Sequence, residues 1–265
     1  MGVVTVNEPG RGERSENTPA YDLTGPVPEI AKDIFPLIVT IDGPAGTGKS
    51  SVSRRLAKRL GMEFLDTGAM YRAATALAID HGVPINDGPA IADLTLRAEL
   101  HFDWRSDPPA LMAFGEPIVN RLRDADVNKA VSPVSGLQEI REILVRRQRL
   151  IGQQHPLLVT EGRDQGSVVF PNAEVKIYLD ASPRVRAKRR AKQLHGEPTP
   201  EQIDTIEHDI AERDRLDTTR KFGPLVCPEG AERVDTSEIP LDRVVDVLET
   251  VVREGVAKRA RAKGS

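Results

Sequence analysis

Cysteine is all but missing from this chain: Cys227 is the only one in 265 residues. A single thiol excludes an intramolecular disulfide framework and a cysteine-ligated zinc cluster. Long apolar runs are also missing. Nothing approaches the roughly 20 residues needed to cross a membrane as a helix, and the first residues lack the apolar core of a signal peptide. Met1-Gly2 does not open a myristoylation signal, because Val6 stands where Ser or Thr is required. There is no surplus of positive charge. The formal charge is −3, which removes the electrostatic case for general nucleic-acid binding. No Ser-His-Asp or Cys-His arrangement is evident, and none of the five histidines falls in the loops singled out below. The expectation is a cytoplasmic protein with no membrane or nucleic-acid partner. At 39% hydrophobic and 29% charged residues, the length suits one substantial domain with an insertion, or two small ones.

What is present is concentrated at Gly43-Pro44-Ala45-Gly46-Thr47-Gly48-Lys49-Ser50, followed by Ser51. Glycine, four residues, then Gly-Lys-Ser is a phosphate-loop pattern. Its glycines let successive N–H groups point inward at anionic oxygens. Lys49 adds a charge at the β- and γ-phosphates of a nucleotide, and the Ser50 hydroxyl takes part in holding Mg2+. The setting fits. Leu37 to Ile41 reads as a β-branched strand leading in, and Val52, Leu56 and Leu60 recur at helical spacing up to a capping Gly61. A helix N-terminus at this point adds its own attraction for phosphate.

Around this loop the chain alternates short apolar strands with helices. Strands are expected at 37–41, 63–66, 157–160, 175–179 and 232–235, and helices after most of them. That rhythm predicts an α/β fold, a five-stranded parallel sheet with right-handed crossovers flanked by helices. From about Leu94 to Val119 the pattern changes to a small β insertion, with 98–104 and 111–114 as antiparallel partners. An amphipathic helix is expected from Gly136 to Gln154, another opening at Ser182-Pro183, and a third running from Thr199 to about Leu216. The last helix starts near Pro240, with a frayed basic tail from Lys258. Residues 1–35 read as a disordered leader. The expected division is a core of 36–67 and 155–255, a lid at about 183–198, an inserted region 68–154 with β insertion 94–119, and a tail 256–265.

Ligands of such sheets collect at the carboxyl ends of the strands. Asp66-Thr67-Gly68, Glu161-Gly162-Arg163-Asp164 and Asp180-Ala181-Ser182 end there, together with the phosphate loop. Arg163 can give two parallel N–H bonds to a phosphate, and Asp164 can accept from an amine, although a surface Arg–Asp turn would look the same. Arg72 could reach an acceptor from the opposite wall. Arg213, Asp217 and Arg220, spaced by four and three, share one helical face; on spacing alone a solvated ion pair explains them equally well. Arg184, Arg186, Lys188, Arg189, Arg190 and Lys192 crowd one helix. They suit a solvated face, an RNA-binding patch, or a lid that brings arginines such as Arg186 and Arg190 over a transferring phosphate. A kinase of a sugar hydroxyl is expected to place a carboxylate base near the acceptor, whereas an acceptor that is itself a phosphate needs only positioning and positive charge.

These motifs, taken in order, resemble the bacterial cytidylate kinases: Ile41 to Ser50, Leu65-Asp66-Thr67-Gly68-Ala69-Met70-Tyr71-Arg72, Glu161 to Pro171, and Glu212-Arg213-Asp214 with Asp217 and Arg220. The likeness covers about residues 36–255, and the β insertion is similar to that family's enlarged monophosphate-binding domain. It implies a P-loop nucleoside monophosphate kinase that phosphorylates CMP and dCMP with ATP and Mg2+; a monomer is the expectation. By the same resemblance Arg72, Arg163 and Arg220 hold the acceptor phosphate. Ser132, Arg141 and Asp164 read the cytosine edge, Arg213 and Asp217 contact the pentose, and Thr67 lines the pocket. Lys49, Arg163, Arg186 and Arg190 are the expected catalytic cations. Two positions depart from the family pattern: Thr67 stands where Ser is frequent, and Gln165 where Met is frequent. Rival readings are a kinase of UMP, shikimate or a sugar acid, and a GTP-binding switch. The switch's guanine-reading Asn-Lys-x-Asp is missing, since Asn128-Lys129 is followed by Ala130-Val131.

Overall fold

Strands rich in Leu, Ile and Val need both faces covered before they can form a parallel sheet, and the intervening amphipathic helices provide the cover. The computed structural model describes residues 29–31 and 35–263. In chain order its elements are β1 Leu37–Asp42, α1 Lys49–Leu60, β2 Glu63–Asp66, α2 Thr67–Asp80, α3 Gly88–Arg97, β3 His101–Asp103, β4 Ala110–Ala113 and β5 Glu116–Pro117. There follow α4 Ala125–Ser135, α5 Gln138–Gln154, β6 Leu157–Gly162, a π-helical turn Gln165–Val169, β7 Val175–Asp180, α6 Pro183–His195, α7 Pro200–Thr219, β8 Glu232–Asp235 and α8 Leu241–Lys263.

The main sheet has the order β2-β6-β1-β7-β8, parallel throughout, with Leu37 opposite Leu157 and Val39 opposite Val175. β3, β4 and β5 make a separate antiparallel sheet, in which Phe102 lies opposite Leu111. Leu37, Val39 and Ile41 pack with Val52 and Leu56 of α1 and with Val244, Leu248 and Val252 of α8 on one face. On the other, Leu65 and Leu158 meet Met70, Ile91, Leu111, Ile140 and Leu144 from α2, α3, β4 and α5. The chain leaves β1 toward β2 on one side and later returns to β7 on the other. The crevice at the carboxyl end of β1 is therefore a topological switch point.

Helix boundaries follow local chemistry. The Asp66 carboxylate accepts from Ala69 N (2.8 Å) and caps α2. Thr199 and Gln202 form a reciprocal capping box at the start of α7. Gly61, at φ 67°, closes α1 as expected.

Several expectations need correction. Residues 88–97 are helical: Asp87 caps them, Pro89 sits in the first turn, and Ile91 and Leu94 are buried, so the β region begins only at His101 rather than near Leu94. The strand expected over 98–104 is short because Glu99 turns the chain at φ 49°. Residues 125–135 form a further unexpected helix, and Gly136 ends it instead of starting α5. α7 runs on to Thr219, and Arg220 is its extended C-cap (φ −62°, ψ 144°) rather than a helical residue. The tail expected from 256 belongs to α8: Val256 is buried in the core and the helix reaches Lys263. Of the leader, Ile30 and Ala31 are buried in a helical turn against the same core; residues 1–28 lie outside the described residues. Among the described residues no helix is long and apolar enough to cross a membrane.

Candidate active site

The phosphate loop fills the switch-point crevice. Asp42, fully buried at the end of β1, accepts from the main-chain N–H of Gln165 (2.8 Å) and Gly166 (2.7 Å). This ties the loop carrying Arg163 and Asp164 to the base of the phosphate loop. Burial pushes the Asp42 carboxyl up to about 7 against those two hydrogen bonds. Gly43 has φ 150°, and a side chain there would run into the Leu179 carbonyl oxygen, so only glycine fits. α1 begins at Lys49 with no acid in its first turn, which leaves its positive end open to an anion.

Lys49 Nζ folds back onto the loop, donating to the Pro44 carbonyl (2.6 Å) and to Thr47 Oγ1 (3.3 Å). Burial, followed by the charge of Arg163, pushes its ammonium down to about 7. Ser50 Oγ donates to Glu161 Oε1 (2.7 Å). Glu161, next to last in β6, lies beside Ile41 of β1 and Asp66 of β2. Its carboxyl is raised by burial and then by Asp66. A hydroxyl and a carboxylate converging at the start of α1 are the hard oxygen donors that suit Mg2+. Glu161 had no assigned role in the sequence reading. The available signal was an acid at the carboxyl end of an apolar strand, but only strand order shows that this strand lies next to the phosphate-loop strand.

Facing the loop is a wall of arginines. Arg72 Nη2 donates to both Asp66 oxygens (3.1 and 3.0 Å). Arg163 Nε donates to Asp217 Oδ2 (2.9 Å), and Arg220 Nη1 lies 3.9 Å from Asp217 Oδ1 and donates to Ser135 Oγ (3.2 Å). Burial, then the neighbouring Arg163, pushes Arg213 down to about 10. The Nε atoms of Arg72 and Arg213 are buried without a hydrogen-bond partner. Buried donors of this kind carry a desolvation cost until an acceptor arrives. Asp217, 3% exposed, is the acid set among these cations. Burial alone would raise its carboxyl; Arg163, then Arg213 and Arg220, hold it below the usual range. Its other oxygen accepts from Ser132 Oγ (2.8 Å). The pair that looked like a surface ion pair by spacing is thus an interior hub, and Ser135, beside Ser132, belongs to it as well.

Beyond the arginines lies a buried pocket floor. Arg141 and Asp164 form an ion pair, both almost fully enclosed. Arg141 also donates to Tyr71 OH (3.3 Å) and the Ser135 carbonyl (3.4 Å). The phenol is pushed up to about 12 by burial and then by Asp164. Gly223, at φ 56°, closes over this pair, and a methyl group there would overlap both Arg141 Nη2 and Asp164 Oδ2. Thr67 is buried, with Oγ1 donating to the Glu161 carbonyl (2.7 Å).

The basic helix divides its work. Arg184 pairs with Asp204 and Glu207 of α7, and Arg189 bonds Thr236 and Ile239. Arg186, expected as a lid cation, is placed against the main chain of the loop instead. It donates to the carbonyls of Ala181 (2.9 Å) and Ala45 (3.0 Å) and pairs with Asp214 (2.6 Å). Burial, then the charges of Arg123 and Arg72, lowers the Arg190 guanidinium. Arg190 also acts on Arg213. Among the described residues no group of three or more His, Cys, Asp or Glu is placed to hold a metal ion.

A donor-phosphate loop, an arginine wall with unpaired buried donors, and a polar pocket floor in one cleft form a site for transfer between two phosphorylated molecules. Known proteins agree. The family model described as cytidylate kinase matches residues 39–254. A cytidylate kinase of Nocardia farcinica is 44% identical over 84% of this chain and 96% of its own length. One of Rhodococcus jostii is 46% identical over 82% and 95%. The crystal structure of a gluconokinase from Sinorhizobium meliloti aligns with 86% of this chain and 95% of its own at TM-score 0.45 and 16% identity, too distant to bear on substrate. With a family match over most of its length and relatives of this similarity, the chain belongs to the cytidylate kinase family.

Proposed function

We propose that the protein transfers the γ-phosphoryl group of ATP to CMP and dCMP, giving ADP with CDP or dCDP. The observation that carries this reading is the buried Arg141–Asp164 pair at the far end of the arginine wall that faces the phosphate loop. A carboxylate there accepts from the exocyclic amine of cytosine, which uracil lacks, and Arg141 can donate to the ring's acceptors. Ser132 completes the same edge. Arg72, Arg163 and Arg220 take the acceptor phosphate, which satisfies the unpartnered Arg72 Nε. Arg213 and Asp217 hold the pentose. The Gly43–Ser51 loop holds the donor phosphates, with Lys49 released from the Pro44 carbonyl to reach them.

In the transfer, an oxygen of the acceptor phosphate forms a bond to the γ-phosphorus as the bond to the bridging oxygen breaks, and that electron pair leaves with ADP. The acceptor phosphate loses its second proton at about pH 6, so no general base is required. Lys49, Arg163 and Arg190 stabilise charge spread over the transferring group. Arg186 acts from beneath, holding Ala45 of the loop in place. Ser50, with Glu161 beside it, would hold Mg2+, which would supply charge neutralisation at the donor phosphates. The reading carries with it a monomer acting in the cytoplasm.

A coupled assay of ADP release over CMP, dCMP, UMP, AMP and shikimate tests the proposal. The expected result is turnover dominated by CMP and dCMP. A preference for any other acceptor overturns it, and nucleotide binding without diphosphate formation favours a switch.

A further inference from the structure

Gln165 stands directly after Asp164, is fully buried, and uses its side chain in three directions. Its Oε1 accepts from Thr160 Oγ1 (2.9 Å) on β6. Its Nε2 donates to Gln148 Oε1 (3.1 Å) on α5 and lies 3.4 Å from Thr67 Oγ1 on α2. Its own N–H is held by Asp42 (2.8 Å). Gly162 makes room for this side chain: a Cβ there would sit 2.9 Å from both Gln165 Cγ and Nε2.

The three elements joined by this amide are those that carry the acceptor pocket. α2 carries Tyr71 and Arg72, α5 carries Arg141, and the loop after β6 carries Arg163 and Asp164. Gln148 and Arg141 are two turns apart on α5, so they share a face and shift together if the helix slides. Arg141 donates to the Tyr71 hydroxyl as well (3.3 Å). Two links therefore tie α5 to this loop: Arg141 to Asp164, with Arg141 also donating to Tyr71, and Gln148 to Gln165, while Gln148 Nε2 is buried without a hydrogen-bond partner. The Asp164 carbonyl is itself held by Val168 N (2.9 Å) and Val169 N (3.1 Å) of the π-helical turn.

We infer that Gln165 is a positioning residue for base discrimination, fixing α5 against the 161–166 loop so that Arg141 and Asp164 present one edge to the acceptor base. It touches no substrate, and the inference rests on Asp164 reading cytosine as proposed above. In this chain Gln148 faces position 165, so an apolar side chain at 165 alone would leave the Gln148 amide buried with no partner and the register between α5 and the loop loose.

The test uses Gln165→Met, which keeps length and volume but removes the amide, and Gln148→Met, which cuts the same bond from α5. Steady-state KM and kcat for CMP, UMP and ATP are measured for each variant, for the double variant and for Asp164→Ala. Loss of the Gln165–Gln148 hydrogen bond predicts a rise of about fivefold to tenfold in KM for CMP, larger than any change in kcat, with KM for ATP unmoved. The preference for CMP over UMP falls by a similar factor. The double variant loses no more than the worse single, because both cut one contact. If both variants keep the parental KM and preference while Asp164→Ala loses it, the positioning role is overturned and base reading stands. If Asp164→Ala keeps the preference, base reading and the positioning role fall together. Fully additive losses in the double variant also overturn it.

Discussion

Neutralising Asp217 tests whether the arginine wall is an anion site held together by one internal carboxylate. Asp217 accepts from Arg163 (2.9 Å) and Ser132 (2.8 Å) and lies 3.9 Å from Arg220. Asp217→Asn keeps the size and an acceptor for Ser132 but removes the charge. Breaking a buried ion pair costs about 3 to 5 kcal/mol. The Arg163 side chain keeps 19% exposure, and Glu161 and Asp214 also act on it. The lower figure, about 3 kcal/mol, is therefore appropriate. For a chain of this size that is a fall of roughly 6 to 12 °C in melting temperature. The arginines left without their acid are the ones assigned to the acceptor phosphate, so an added anion should replace the missing charge. Thermal denaturation is measured for both proteins with and without inorganic phosphate. The expected outcome is a larger phosphate-induced rise in Asp217→Asn than in the parent, closing half or more of the gap. An equal rise in both refutes an anion site at this hub.

Three further outcomes follow from the geometry. Lys49→Ala lowers kcat by about 100- to 1000-fold, the usual effect of losing one preorganised charge at a transition state, while KM for CMP changes little; initial rates at saturating ATP check this. Gly223→Ala pushes a methyl between Arg141 and Asp164 at a φ of 56°; KM for CMP should rise at least tenfold, with about 1 to 2 kcal/mol of stability lost to the left-handed backbone, read by urea denaturation. His155 is buried against Trp104 in a stacked pair (3.9 Å between ring centroids), and burial pushes its imidazole down to about 4. A depressed histidine contributes stability that is present above its ordinary pKa and lost as pH falls toward about 4. Urea titrations at pH 7 and pH 4.5 should show His155→Phe losing roughly 2 kcal/mol less on acidification than the parent; identical losses contradict the assignment.

Strand–loop–helix chemistry made the phosphate loop legible from residue types alone. Gly43 to Ser50, the β-branched run before it and the periodic Val52, Leu56 and Leu60 after it occur where expected. The acceptor side was legible only in part, because its residues come from five separate stretches. Spacing could not distinguish Arg213 and Asp217 from an exposed pair, because the difference lies in α4 packing against α7, and α4 itself was missed. Its residues include the weak helix formers Asn128, Ser132 and Pro133, and burial of Val127, Val131 and Val134 decides the outcome. Charge runs misled in the same way. Six cations on one helix looked interchangeable, yet Arg184, Arg186 and Arg189 are each tied to a different neighbour. Glu161 went unassigned for want of strand order, which no local pattern contains.

The most direct measurement is a crystal structure of the protein with CMP bound. The account predicts the CMP phosphate within hydrogen-bond distance of Arg72, Arg163 and Arg220, and the exocyclic amine of cytosine against the Asp164 carboxylate. A base directed away from Asp164, or a phosphate that leaves those three arginines untouched, would contradict it.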